Sequence, residues 1–141
     1  MTPPRYLLDT NICIYIRRQR PREVMQRFEQ MMVGEAAISV ITYGELCYGA
    51  ERSAQRAAAM TQLAELVQLL PVLALPESAG IDYGALRAEL ESKGQVIGDN
   101  DLWIAAHARA AGLILVTRNE GEFRRVPGLA VENWATPPDR R

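Results

Sequence analysis

The sequence predicts an α/β fold in which helices cover both faces of a mainly parallel sheet, and three observations carry that expectation. Short apolar, strand-like runs alternate with amphipathic helical stripes from one end of the chain to the other. One stretch near residue 105 is apolar almost all round, as a buried helix must be. The 141 residues, 48% of them hydrophobic, are about one domain's worth and can bury a single core without disulfides or structural metal.

Tyr6-Leu7-Leu8 is a short apolar run ending in Asp9, and Thr10 and Asn11 open the apolar stretch Ile12 to Ile16, which predicts strand, turn, helix. Pro21 suits the first turn of a second helix, where Val24, Met25, Phe28, Met31 and Met32 recur at helical spacing until Gly34. Residues 36–40 predict a second strand. Thr42 then opens a helix to about Arg52, and residues 54–70 form another, with Met60, Leu63, Ala64, Val67 and Leu70 on one stripe that Leu66 and Leu69 widen. A short third strand is expected within residues 71–75, and a helix over 77–93 closed by Gly94. Asp99, Asn100 and Asp101 open the apolar helix, which Gly112 stops. Residues 113–116 are the most strand-like run, and 129–131 offer a last edge strand. Residues 1–135 are thus expected to form one domain and 136–141 a loose tail.

Sixteen Lys+Arg against 17 Asp+Glu leave a formal charge of −1, which excludes a generally basic surface. Any nucleic-acid contact must be local. Cys13 and Cys47 fall inside apolar helical patterns without CxxC spacing, as suits small buried residues in a reducing compartment. The N-terminus lacks the character of a signal peptide, and no apolar run approaches the roughly 20 residues that span a bilayer. A cytoplasmic chain with no membrane partner is expected.

An open parallel sheet binds ligands beyond the carboxyl ends of its strands. Asp9 ends the first strand, Glu45 lies early in the helix after the second, Asp101 starts the buried helix, and Asn119 follows the strand at 113–116. Three acids and an amide from four segments would make a cluster of oxygen ligands suited to Mg²⁺ or Mn²⁺, with a water activated for attack on a phosphodiester. Each also has a structural alternative. Asp9 is a natural helix cap, Thr42-Tyr43-Gly44-Glu45 fits a capping box, Asp99 and Asp101 complement a helix dipole, and Asn119 suits a turn. His107, Trp103 and Trp134 are expected to be packed side chains. The run Arg17-Arg18-Gln19-Arg20-Pro21-Arg22 is either a solvated face or a contact for a phosphate backbone crossing the acids.

Leu8-Asp9-Thr10-Asn11, Thr42-Tyr43-Gly44-Glu45-Leu46-Cys47-Tyr48-Gly49-Ala50 and Gly98-Asp99-Asn100-Asp101-Leu102-Trp103-Ile104-Ala105-Ala106-His107-Ala108 occur in that order. Val116-Thr117-Arg118-Asn119, Glu122-Phe123 and Val126-Pro127-Gly128-Leu129 continue the series. Together they resemble the successive motifs of PIN-domain proteins, and most of all those of the VapC toxins of VapBC toxin-antitoxin pairs, over nearly the whole chain. The resemblance implies a three-layer α/β/α sandwich, a Mg²⁺-dependent endoribonuclease with Mn²⁺ as a possible substitute, a cognate VapB-like antitoxin that inhibits it, and a toxin homodimer. Asp9, Glu45 and Asp101 match the family's first three acids, while Asn119 takes the fourth position, often Asp. One Mg²⁺ held chiefly by Asp9 and Asp101 is the expectation, with Glu45 binding it through water or orienting the attacking water. Asp99, where related toxins often carry proline, is a supplementary ligand or a cap.

Two other functions compete. A haloacid-dehalogenase-like phosphotransferase also places an aspartate after its first strand, but it needs a second acid two residues on, where this chain has Asn11. An interaction module that has lost its metal would have no use for the three acids. The apolar stripes Met25, Phe28, Met31, Met32 and Leu63, Leu66, Leu69, Leu70 exceed one core face, and part of them is expected to receive an amphipathic antitoxin helix.

Overall fold

In the computed structural model, which describes residues 2–135, five parallel strands form one sheet between two layers of helices. The tail expected at residues 136–141 lies outside the described residues. In chain order the elements are β1 (Tyr6–Leu8), α1 (Thr10–Arg18), α2 (Arg22–Glu29), β2 (Ala36–Ser39), α3 (Val40–Glu51), α4 (Arg56–Leu69), β3 (Val72–Leu73), α5 (Glu77–Ser92), α6 (Asp99–Ala111), β4 (Ile114–Val116), α7 (Glu120–Phe123) and β5 (Val131–Glu132). The sheet order is β3-β2-β1-β4-β5, with Leu7 in register with Ala37 on one side and Leu115 on the other.

Alternation along each strand divides the core. Tyr6, Leu8, Ile38 and Val116 face α1 to α4, where they pack with Ile12, Ile16, Leu46, Leu66 and Trp134. Leu7 and Leu115 face the other way, onto Leu86 and Leu90 of α5 and Leu102, Ile104 and Ala105 of α6. Because both faces are covered, the central strands are apolar apart from the buried Ser39 that ends β2, and the all-round apolar α6 is buried as expected. Gly112 stops it at φ +68°, a left-handed conformation that glycine adopts without a Cβ penalty. Trp134 is buried, and Trp103 stacks on Tyr83 at 3.8 Å between ring centres. Cys13 and Cys47 are free thiols.

Helix α3 begins two residues before Thr42, so the expected capping box does not form. Ser39 caps the helix instead, its Oγ accepting from the Ile41 N–H at 3.1 Å. The same hydroxyl shares a 2.8 Å hydrogen bond with Nδ1 of buried His107, which ties α3 to α6. Burial holds the His107 imidazole below its ordinary pKa. Ser39→Ala should cost about 2–3 kcal/mol, because it removes a cap and leaves a buried ring nitrogen unpaired. A urea midpoint unchanged from wild type would contradict that coupling.

The other departures are at element ends. Helix α2 stops at Glu29, short of Met31 and Met32, because the chain turns through Gly34 at φ +98° into β2. On α4 the inward stripe takes Leu66 rather than Ala64, while Leu69 faces out. The last strand is Val131–Glu132, later than expected, and the one-turn α7 had no periodic signal to announce it.

Candidate functional site

The chain steps from β1 to β2 and β3 on one side, then returns to β4 on the other, so the strand order reverses beside β1. Such a switch point opens a crevice at the carboxyl ends of the two strands. Asp9 follows β1 there and Thr117 follows β4.

Asp9 is buried and caps α1. Its Oδ1 accepts from the Thr10 N–H at 2.8 Å, and its Oδ2 accepts from Thr117 Oγ1 at 2.8 Å and Asn11 Nδ2 at 3.5 Å. Asn11 Oδ1 in turn accepts from the Arg118 N–H at 3.2 Å, joining the two strand ends. Burial raises the Asp9 pKa, the Thr117 and Thr10 hydrogen bonds oppose that, and the charges of Glu45 and Glu122 reinforce it.

Glu45 lies two residues further into α3 than expected, in its second turn, and is half-buried. Its carboxylate accepts hydrogen bonds from Thr10 Oγ1 and from Asn100 Nδ2, the latter at 3.4 Å. Those two contacts aim it at the same crevice from the opposite wall. Asp101, in the first turn of α6, completes the approach from a third element. Its pKa is pushed up to about 7, first by burial, then by a hydrogen bond to Glu122, then by the charges of Asp9, Glu122 and Glu45.

Glu122 is the residue that spacing alone did not single out. It stands on α7, with Oε1 buried and without a hydrogen-bond donor among the described residues. Asn119-Glu120-Gly121-Glu122 has capping-box spacing, which was the available signal. The carboxylate is turned to Asp101 instead. Asn119 is exposed; its main-chain N–H donates to Thr117 Oγ1 at 3.0 Å, and its side chain makes no hydrogen bond among the described residues. Asp99 is also exposed, with Arg87 3.9 Å away, and joins none of the other acids.

No Lys or Arg neutralises Asp9, Glu45, Asp101 or Glu122 among the ion pairs of the described residues. Burial is the first cause of the pKa rises of Asp9 and Asp101, the neighbouring carboxylates add to both, and a cation would relieve that added repulsion. The donors are all hard oxygens, and Glu122 Oε1 is an orphaned one, which fits Mg²⁺ or Mn²⁺ and not a soft metal. Among the described residues no three acids close into a ready ligand cage. An open site also suits Mg²⁺, which keeps several waters and typically takes one or two carboxylates plus substrate phosphate. Glu122→Gln keeps the volume and removes a charge, and should lower metal-dependent activity about 10–100-fold, whereas Asn119→Ala should stay within about threefold of wild type. Steady-state rates of the two variants would test this ordering, and the reverse order would return the fourth position to Asn119.

Residues 6–129 match the PIN domain family. Ribonuclease VapC2 of Haemophilus influenzae is 43% identical over 130 residues, covering 92% of this chain and 98% of that protein. The tRNA(fMet)-specific endonuclease VapC of Shigella flexneri is 40% identical over 131 residues, covering 93% of this chain and 98% of that protein. Among solved structures, the DNA-bound VapBC of Salmonella typhimurium contains a chain that superimposes with a TM-score of 0.86 at 38% identity, covering 92% of this chain and 98% of that one. The acids at the switch point therefore sit in a fold and a sequence shared along almost the full length of these proteins, and the chain belongs to the PIN-domain family and, within it, to the VapC proteins.

Proposed function

We propose that the chain is a Mg²⁺-dependent endoribonuclease, the toxin of a toxin-antitoxin pair, with Mn²⁺ able to substitute for the cation. The observation that carries this reading is the convergence of Asp9, Glu45, Asp101 and Glu122 at the switch point with no basic side chain to balance them. Named ribonucleases among its relatives supply the substrate class.

Asp9 and Asp101 would hold the cation, Glu45 and Glu122 contacting it through water. When bound, the cation offsets charge on the phosphate and lowers the pKa of water. Thr117 and Thr10 fix the Asp9 carboxylate by donating to its two oxygens, so one rotamer faces the crevice. Thr10 and Asn100 hold Glu45 in the same way, leaving it to accept the proton of the attacking water as general base. Hydrolysis forms one P–O bond from that water and breaks another to a ribose oxygen, which leaves as a hydroxyl by taking a proton from solvent. Asn119, exposed after β4, would meet a water or phosphate oxygen of the substrate, and Asp99 is an exposed residue 3.9 Å from Arg87 with no role at the cation.

The rival phosphotransferase loses support here, because Asn11 is spent on Asp9 and the Arg118 N–H and cannot act as the second acid. An interaction module without metal would retain the repulsion of the cluster and gain nothing from it.

A cognate VapB-like antitoxin is the proposed protein partner, with a toxin homodimer, since VapBC complexes are among the solved relatives. Met25, Phe28, Met31, Met32 and Leu69 line an apolar groove of about 290 Å³, with Met32 66% exposed, a surface suited to an amphipathic helix. Leu63, Leu66 and Leu70 belong to the core instead and leave that surface.

Incubation of the purified chain with RNA and Mg²⁺ tests the activity. Initiator tRNA is the substrate to include first, since a relative 40% identical is named for it. Discrete products that EDTA prevents are expected, and RNA left intact under both conditions would overturn the reading.

A further inference from the structure

Helix α3 contains two glycines that packing does not require, Gly44 and Gly49, and only the second lines the cavity between α1, α3 and α4. Gly49 stands one turn beyond Glu45, and a Cβ built there meets nothing within 4 Å. Its φ is not positive either, so neither close approach nor backbone geometry calls for glycine. Glycine in a helix interior is destabilising relative to alanine. What the absent side chain leaves is space.

Gly49 lines a cavity of about 260 Å³ between α1, α3 and α4, and Thr10 and Glu45 lie on its wall, so the cavity adjoins the acids. Ile14 and Ala59 give it apolar sides, while Arg17, Ser53 and Gln62 are its polar lining. A nucleobase has that character, with apolar faces and a hydrogen-bonding edge, and it comes attached to a phosphate. The volume lies just under the ~300 Å³ at which small-ligand pockets begin, the scale of one nucleotide. Arg17 is the only cation of the lining and enters none of the ion pairs among the described residues. A cation that lines the same cavity as Glu45 without an ion pair to it is placed to draw an anionic strand past an acidic site.

We infer that this cavity is the subsite for a nucleotide adjoining the cleaved phosphodiester, with Arg17 on its phosphate and Ser53 and Gln62 on its base edge. The inference rests on the ribonuclease reading and adds which side chains select the flanking base. All four arginines of the run at residues 17–22 are exposed, and Arg17 is the one that lines the cavity and is assigned to substrate.

Gly49→Leu fills the cavity from a position where leucine is the better helix former, so its melting temperature should hold or rise. KM for RNA should increase about tenfold with kcat within about threefold, and the mapped cleavage sites should lose their flanking-base preference. Gln62→Ala, on an exposed side chain, should change that preference without touching the fold. Arg17→Gln should reduce the dependence of log K on log salt by about 0.7, one phosphate contact on a single strand. The two surface variants carry the test by themselves if Gly49→Leu does not fold. Wild-type KM, sites and salt slope in these variants would overturn the subsite, as would loss of antitoxin binding with RNA kinetics unchanged, which would give the cavity to a protein arm. A wild-type chain that cuts no RNA would instead defeat the ribonuclease reading itself, before any variant is compared.

Discussion

Asp101→Asn should lower RNA cleavage by about 1,000-fold or more while leaving the fold at least as stable as wild type. The activity loss follows from removing one of the two carboxylates assigned to the cation, whose electrostatic contribution is worth several kcal/mol, or about three powers of ten in rate. The stability gain follows from the pKa of about 7. A carboxyl whose pKa is raised on folding stabilises the folded chain fully only below its unfolded value near 3.8, and that stability is lost as pH rises through about 7. Without metal, the wild-type chain should therefore melt lower at pH 8 than the Asp101→Asn protein, by roughly 3 °C or more, and the gap should close near pH 4. Added Mg²⁺ should narrow the gap at pH 8 from the other side, by binding only the folded wild type. Asp9→Asn should lose activity to the same extent. An Asp101→Asn protein that cleaves at wild-type rate, or that melts below wild type at pH 8, would remove Asp101 from the metal site.

Glu45→Gln should reduce kcat by about 100-fold or more, the loss typical of a missing general base, with little effect on melting temperature. Glutamine can still accept the Thr10 hydroxyl, so the side chain stays in place without a carboxylate to take a proton. The helix start does not depend on it, because Ser39 and not Thr42 is the cap. Single-turnover cleavage beside thermal melting separates the two effects. An active variant would reduce Glu45 to a wall of the crevice, and an inactive one that also unfolds would make its role structural.

How much was legible depended on how far each signal reached along the chain. The alternation of strands and helices is a pattern many residues long, and it predicts the parallel sheet and the buried α6, whereas the strand order, and with it the switch point, is set by tertiary packing. Asp9 and Asp101 sit at a strand end and a helix start, where local sequence marks the boundary, so both could be placed. The start of α3 was misread because Ser39 lies inside the unbroken run Ala36 to Ile41, and its second partner, His107, is 68 residues away. Glu122 was harder still. A four-residue helix has too few positions to show a period, so sequence points to Asn119, which follows β4 and takes the family's fourth position. The contact between Glu122 and Asp101 exists only once α6 and α7 have been folded against the same end of the sheet. The arginine run shows the same limit, since its charge is legible in the sequence but which arginine lines a cavity is set by the fold.

The central claim is that these four carboxylates make the chain cut RNA, and mapping RNA 5′ ends after brief expression without antitoxin tests it most directly. Wild type should generate new 5′ ends at a few defined positions within minutes, and Asp101→Asn, expressed to the same level, should generate none. The same new ends in both strains, or none in either, would contradict it.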